Sequence, residues 1–144
     1  MNRYINRINK EIKEIKILLL NKTVFNNIHI INKSIILFNI NYNKIKIILL
    51  PKYPFDKPHV FIDNIKYIDF LNKIDVYEFK KLKNIECCPC CDSILKNWFP
   101  IRKIKNIIKE IYNIINITQR IKERKNYLLI QNKYNIPLHI YTYL

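Results

Sequence analysis

Ile45–Ile62 reads IKIILLPKYPFDKPHVFI. Its two ends are Ile- and Val-rich runs of strand length, Lys44–Leu50 and His59–Ile62. Between them lie prolines at 51, 54 and 58. Proline removes a backbone donor and fixes φ, so this middle cannot continue either strand and is expected to follow a rigid, extended path. The pattern predicts strand, proline-stiffened connection, strand.

Upstream, Val24–Ile31 and Ser34–Ile40 are short, Ile-rich and partly alternating. Asn32-Lys33 and Asn41-Tyr42-Asn43 punctuate them as tight turns. With the two later strands this makes a four-stranded antiparallel meander. Asp63-Asn64 is another turn signal, and Ile65–Ile68 is long enough for a short extra strand. Residues 3–19 have helical periodicity, with Tyr4, Ile5, Ile8, Ile12, Ile15 and Leu19 on one stripe and Arg7, Lys10, Glu11, Lys13 and Glu14 opposite. Residues 69–86 are weakly helical, with Phe70, Leu71, Ile74, Phe79 and Leu82 as their apolar set. The cysteines of Cys87–Cys91 and Trp98 are expected in loop and turn. After Phe99-Pro100 a helix is expected to about Asn116, on a stripe from Ile101 through Ile104, Ile107, Ile108 and Ile111 to Ile115. A second helical segment is expected from Thr118 to Asn132, then an apolar, Tyr-rich tail, Ile136–Leu144. The whole is an α+β domain with helices packed on a meander.

Length and composition narrow the function. A chain of 144 residues with no linker or repeat is read as one domain. It has no glycine, which excludes P-loop, dinucleotide-binding and nucleophile-elbow motifs. Asn must then serve at turns and helix C-caps. The net charge of +15 raises a nucleic-acid partner as a reading. That charge is spread from Arg3 to Lys133, and lysine, Ile, Asn and Tyr all have A/T-rich codons, so genome composition explains it more simply and nucleic acid is the disfavoured partner. Neither a secretion signal nor a membrane span is expected, which suggests a cytoplasmic protein.

Two motifs then carry a resemblance. The first is Tyr53-Pro54-Phe55 with Pro58, between two strands. The second is Cys90-Cys91-Asp92 followed by Trp98-Phe99-Pro100 and a helix. In this order, behind an amphipathic helix and a meander, they resemble the ubiquitin-conjugating enzyme (UBC) fold over roughly residues 3–116, leaving 117–144 divergent. The arrangement is also similar to divergent conjugating-enzyme-like proteins of large, A/T-rich viruses, which would place the chain in a host cytoplasm. The resemblance implies that Cys90 accepts ubiquitin or a ubiquitin-like modifier as a thioester, with Asp92 beside it orienting an incoming lysine. It implies an activating enzyme and a ligase as partners, and no cofactor. It gives Trp98 and Pro100 a packing role under the active-site loop, and Tyr53, Pro54, Phe55 and Pro58 a structural role with a partner surface near them. The family's His-Pro-Asn tripeptide is replaced by Lys80–Leu82. Losing one oxyanion donor typically costs about a hundred- to a thousandfold in rate. Asn84 or Asn97 could substitute only in a refolded loop. A catalytically inactive UBC- or RWD-like interaction module is therefore the rival.

The cysteines keep other readings open. Cys87/Cys90 and Cys88/Cys91 are both C-x-x-C pairs, half of a tetrahedral zinc site, but no second pair exists and His29, His59 and His139 have no metal spacing. Cys88-Pro89-Cys90-Cys91 also matches a thiol-disulfide exchange pattern, against which the antiparallel meander speaks. They could equally be small buried hydrophobes.

Overall fold

A computed structural model describes residues 2–134 of the chain. Helix α1 (Asn2–Leu20) precedes strands β1 (Phe25–Ile31), β2 (Ile35–Ile40), β3 (Asn43–Ile48), β4 (His59–Ile62) and β5 (Ile65–Lys66). Helices α2 (Tyr67–Asn72), α3 (Val76–Lys83), α4 (Pro89–Asp92) and α5 (Ile104–Tyr134) follow. The strands form one antiparallel sheet in sequence order. The meander thus has five strands, not four: β5 adds to β4 through Ile62↔Ile65 and Phe61↔Lys66.

Tight turns without glycine are made largely by asparagine. Of seven non-glycine residues at positive φ among those described, five are Asn. Asn32 and Lys33 sit at φ 50° and 55° between Ile31 and Ser34, whose N–H closes the turn at 3.0 Å. Two successive positive φ values match the right-handed twist of the flanking strands. Asn84, at φ 54°, ends α3 in the left-handed conformation and donates its N–H to the Lys80 carbonyl.

One face of the sheet is core. Ile36, Phe38 and Ile40 of β2, Ile45 and Ile47 of β3, and Val60 and Ile62 of β4 are buried at every second position. Against them pack Ile15 and Leu19 of α1 and Ile104, Ile107, Ile108 and Ile111 of α5. Each such aliphatic contributes about 1.5–3 kcal/mol on full burial, which makes this face the main source of stability.

The sequence expectations need four amendments. Glu11 lies on the core side of α1, not opposite it, and is buried. The proline segment makes successive turns instead of an extended path: the N–H groups of Tyr53 and Phe55 reach back to the carbonyls of Leu50 and Lys52, and Tyr53-Pro54 is cis. The helix expected right after Pro100 starts at Ile104; Ile101 is 84% exposed, and the stretch from 104 runs unbroken to Tyr134 instead of dividing near residue 117. Its start is fixed by Glu11, whose Oε1 accepts the Ile104 N–H at 2.9 Å, and by Asn106 Oδ1, which accepts the Lys103 N–H at 3.1 Å. Finally, the cysteines are not all in loop, since Pro89–Asp92 is a short helix. Tyr4 of the α1 stripe, the tail Ile136–Leu144 and His139 lie outside the described residues or side chains.

Candidate functional site

The two motifs of the sequence meet in space. The Trp98 indole N–H donates to the Pro54 carbonyl at 2.8 Å, and the Trp98 and Tyr53 rings lie 6.1 Å apart between centroids. Tyr53 and Pro54 are buried, as is Pro58, while Phe55 and Phe99 are exposed. The Tyr53 hydroxyl donates to the Glu11 carboxylate at 2.7 Å. Burial and then that acceptor push the phenol well above its usual range. Arg7 pairs with Glu11 at 3.1 Å, lies over the Tyr53 ring, and donates to the carbonyls of Pro100 and Arg102. One α1 turn, Arg7 to Glu11, therefore ties the proline turn to the segment Trp98–Ile104.

A second carboxylate sets the position of the segment after the cysteines. Glu110 of α5 accepts the Ile94 N–H at 2.8 Å, the Tyr67 hydroxyl at 2.8 Å and the Ser93 hydroxyl at 3.1 Å. Neither glutamate was a candidate from the sequence. Both carried the same signal: each stands three residues after and four before an isoleucine of its own helix (Ile8 and Ile15; Ile107 and Ile114). A carboxylate on an apolar stripe needs buried donors, and each has them.

The cysteine turn lies between these anchors. Cys88 is the N-cap of α4, and its Sγ accepts the Cys91 N–H at 3.4 Å; Pro89 follows at the first helical position, where its missing N–H costs nothing. Cys88 and Cys90 Sγ atoms are 3.1 Å apart, and those of Cys90 and Cys91 4.0 Å. Hydrogen bonds from Cys91 and Cys90 lower the Cys88 thiol to about 7. Its bond to Cys88 and then burial push Cys90 up to about 11. Cys87 is also raised, by burial first and then by Cys91. Lys96 Nζ lies 3.7 Å from Cys91 Sγ.

Cys90 is half-buried and lines a groove of about 560 Å³ with His59, Phe61, Tyr67, Leu71 and Lys96. Asp92 opens elsewhere. It borders a second concavity with Cys87, Cys91, Arg102 and Lys109, and its carboxylate is 4.0 Å from Lys83 Nζ. Cys90 and Asp92, adjacent by spacing, thus line different concavities. The Trp98 hydrogen bond and ring contact are both with the proline turn. Lys80–Leu82, where the resemblance would put His-Pro-Asn, belong to α3. Asn84 caps that helix, and the Asn97 amide donates to the carbonyls of Cys91 and Ser93 at 3.0 Å each.

The sequence matches no protein-family model, no curated protein and no solved structure. Among the described residues no helix is long and apolar enough to cross a membrane.

Proposed function

We propose that the chain is a divergent protein of the ubiquitin-conjugating type, which accepts the C-terminus of ubiquitin or a ubiquitin-like modifier on Cys90 and passes it on. The observation that carries this reading is the Trp98–Pro54 hydrogen bond, which joins the Cys-x-Asp…Trp-x-Pro motif to the Tyr-Pro-Phe turn across 44 residues. Cys90 faces a groove, as an acyl acceptor must. Its thiol is raised to about 11, so attack on the incoming thioester requires that its proton first pass to a base, and the Cys88 sulfur 3.1 Å away is placed to take it. An activated thioester arriving from an activating enzyme is reactive enough that no full catalytic triad is required. Four free thiols within five residues also suit a reducing compartment such as the cytoplasm.

A second reading, a non-catalytic interaction module of similar build, is favoured by a separate observation. The Asn97 side-chain amide is not free to take the oxyanion role, because it is committed to the carbonyls of Cys91 and Ser93. Transfer to a ligase thiol would suffer less from this than transfer to a lysine.

Incubation with activating enzyme, ATP and modifier, followed by a non-reducing gel, separates the two. A reductant-sensitive adduct lost in Cys90→Ser and kept in Cys87→Ser and Cys88→Ser supports the transferase. An adduct lost in Cys88→Ser alone moves the acceptor to Cys88 and overturns the assignment of Cys90. No adduct with any modifier leaves the module.

A further inference from the structure

The thiols of Cys88, Cys90 and Cys91 all lie within 4.8 Å of one another, and no other His, Cys, Asp or Glu among the described residues joins that group. We propose that these three cysteines form a trithiolate site for a single thiophilic d10 cation of the zinc class. Zinc binds thiolates at about 2.3 Å, so two sulfurs on one tetrahedral ion stand about 3.8 Å apart. The Cys88–Cys90 and Cys90–Cys91 separations of 3.1 and 4.0 Å straddle that value, and Cys88 and Cys91 are no more than 4.8 Å apart, so the three sulfurs already stand near the spacing that one ion requires.

The turn is built to hold the sulfurs there. Cys88 is extended, Pro89 is buried and fixes the next φ, and α4 then brings Cys90 and Cys91 back toward the Cys88 sulfur. The Cys91 N–H already points at Cys88 Sγ, the kind of outer-shell hydrogen bond that orients a thiolate ligand. Three thiolates on a divalent ion leave a net negative charge, and Lys96 Nζ, 3.7 Å from Cys91 Sγ, lies where it offsets that charge. On binding, three sulfur–metal bonds replace the bonds to hydrogen, the released protons pass to solvent, and no sulfur changes oxidation state. Soft thiolates select zinc-class and copper(I) ions over magnesium or calcium. A fourth ligand position stays open, as three protein ligands leave it in catalytic and exchangeable sites.

This site is independent of the thioester reading, although the two uses compete for the Cys90 sulfur. The test requires no modifier or activating enzyme. Full-length reduced protein, stripped of metal, is titrated with cadmium(II), whose thiolate charge-transfer absorption reports ligation; zinc(II) then competes for the site. One ion per chain is expected. Cys88→Ser, Cys90→Ser and Cys91→Ser should each weaken binding about a hundredfold or more, since even outer-shell partners are worth about ten- to a hundredfold. Cys87→Ser should leave affinity unchanged. With the unaltered protein, bound zinc should protect three cysteines from alkylation and leave Cys87 open, read by mass spectrometry, so the result does not depend on variants that fold. No saturable binding, one ion shared by two chains, equal sensitivity to Cys87→Ser, or alkylation of all four thiols in the presence of zinc would overturn the proposal.

Discussion

The junction of the proline turn with Trp98 and the cysteine turn are separated by few residues in the chain, yet they are held by different means. The junction is long-range: Glu11 reaches Tyr53 and Ile104, and Trp98 reaches Pro54. The hydrogen bonds of the cysteine turn are short-range, from the Cys91 N–H to Cys88 Sγ, three residues apart, to the Asn97 amide on the Cys91 carbonyl, six apart. Long-range hydrogen bonds are concentrated where no reactive group lies, and the thiols lie where the hydrogen bonds are local. Substitutions should therefore cost stability at the junction and change chemistry at the turn.

The largest effect is expected at Glu11. Glu11→Ala removes a buried acceptor from three donors, Arg7, the Tyr53 hydroxyl and the Ile104 N–H, and breaking such a buried charged network costs about 3–5 kcal/mol. Urea unfolding measures it, and a loss below about 1 kcal/mol would mean that the junction is not what holds the two motifs together. Trp98→Phe comes next. It keeps most of the ring but leaves the Pro54 carbonyl without its donor, a loss of about 1–3 kcal/mol.

Asp75→Ala is smaller. The Asp75 side chain caps α3 through the Glu78 N–H at 3.1 Å, and losing an N-cap costs about 1 kcal/mol. The pH dependence has a definite sign. The hydrogen bond from Lys125, followed by that from the Glu78 N–H, holds the Asp75 carboxyl below its ordinary range. Its contribution is fully present above that range and is lost as pH falls through the lowered folded value, so the gap between wild type and Asp75→Ala should close in acid.

Cys88→Ser should move the unfolding midpoint least, because the turn's bonds are local and exposed. Its effect is on reactivity. In the metal-free protein Cys88 should alkylate first, with a midpoint near pH 7, and Cys90 only toward pH 11. In Cys88→Ser the Cys90 thiol should ionise at lower pH, since the sulfur that holds its proton is gone. Rate–pH profiles of single-thiol labelling would show this, and a Cys90 midpoint that does not move would break the coupling between the two.

How far the sequence could be read follows the same division. Alternation in β2 to β4 and the Asn-rich turns were legible because burial at every second residue and positive φ are local demands. The five-strand count was half-legible, since Ile65–Ile68 pairs only at Ile65 and Lys66 before the chain turns helical. The start of α5 was not legible. Pro100 is a good local signal for a helix start, but Glu11, 93 residues away, supplies the acceptor for the Ile104 N–H and the helix begins there. At the site, spacing picked out Cys90, Asp92 and Trp98, yet it could not show that Cys90 and Asp92 line different concavities, because α4 turns the chain between them. Nor could spacing single out Cys88 as the low thiol, an effect of the hydrogen bonds it receives from the Cys91 and Cys90 thiols and then from the Cys91 N–H.

The bond from Glu11 to the Ile104 N–H also has a meaning for biosynthesis. A nascent chain exposes its first helix early, but the amide that satisfies that helix's inward carboxylate is made only after 93 more residues. Until then α1 has a charge on its apolar side and no long helix to dock against. Settling of the domain is therefore expected to wait until α5 has cleared the ribosome, and a product halted before position 104 should present itself to chaperones and proteases as unfinished.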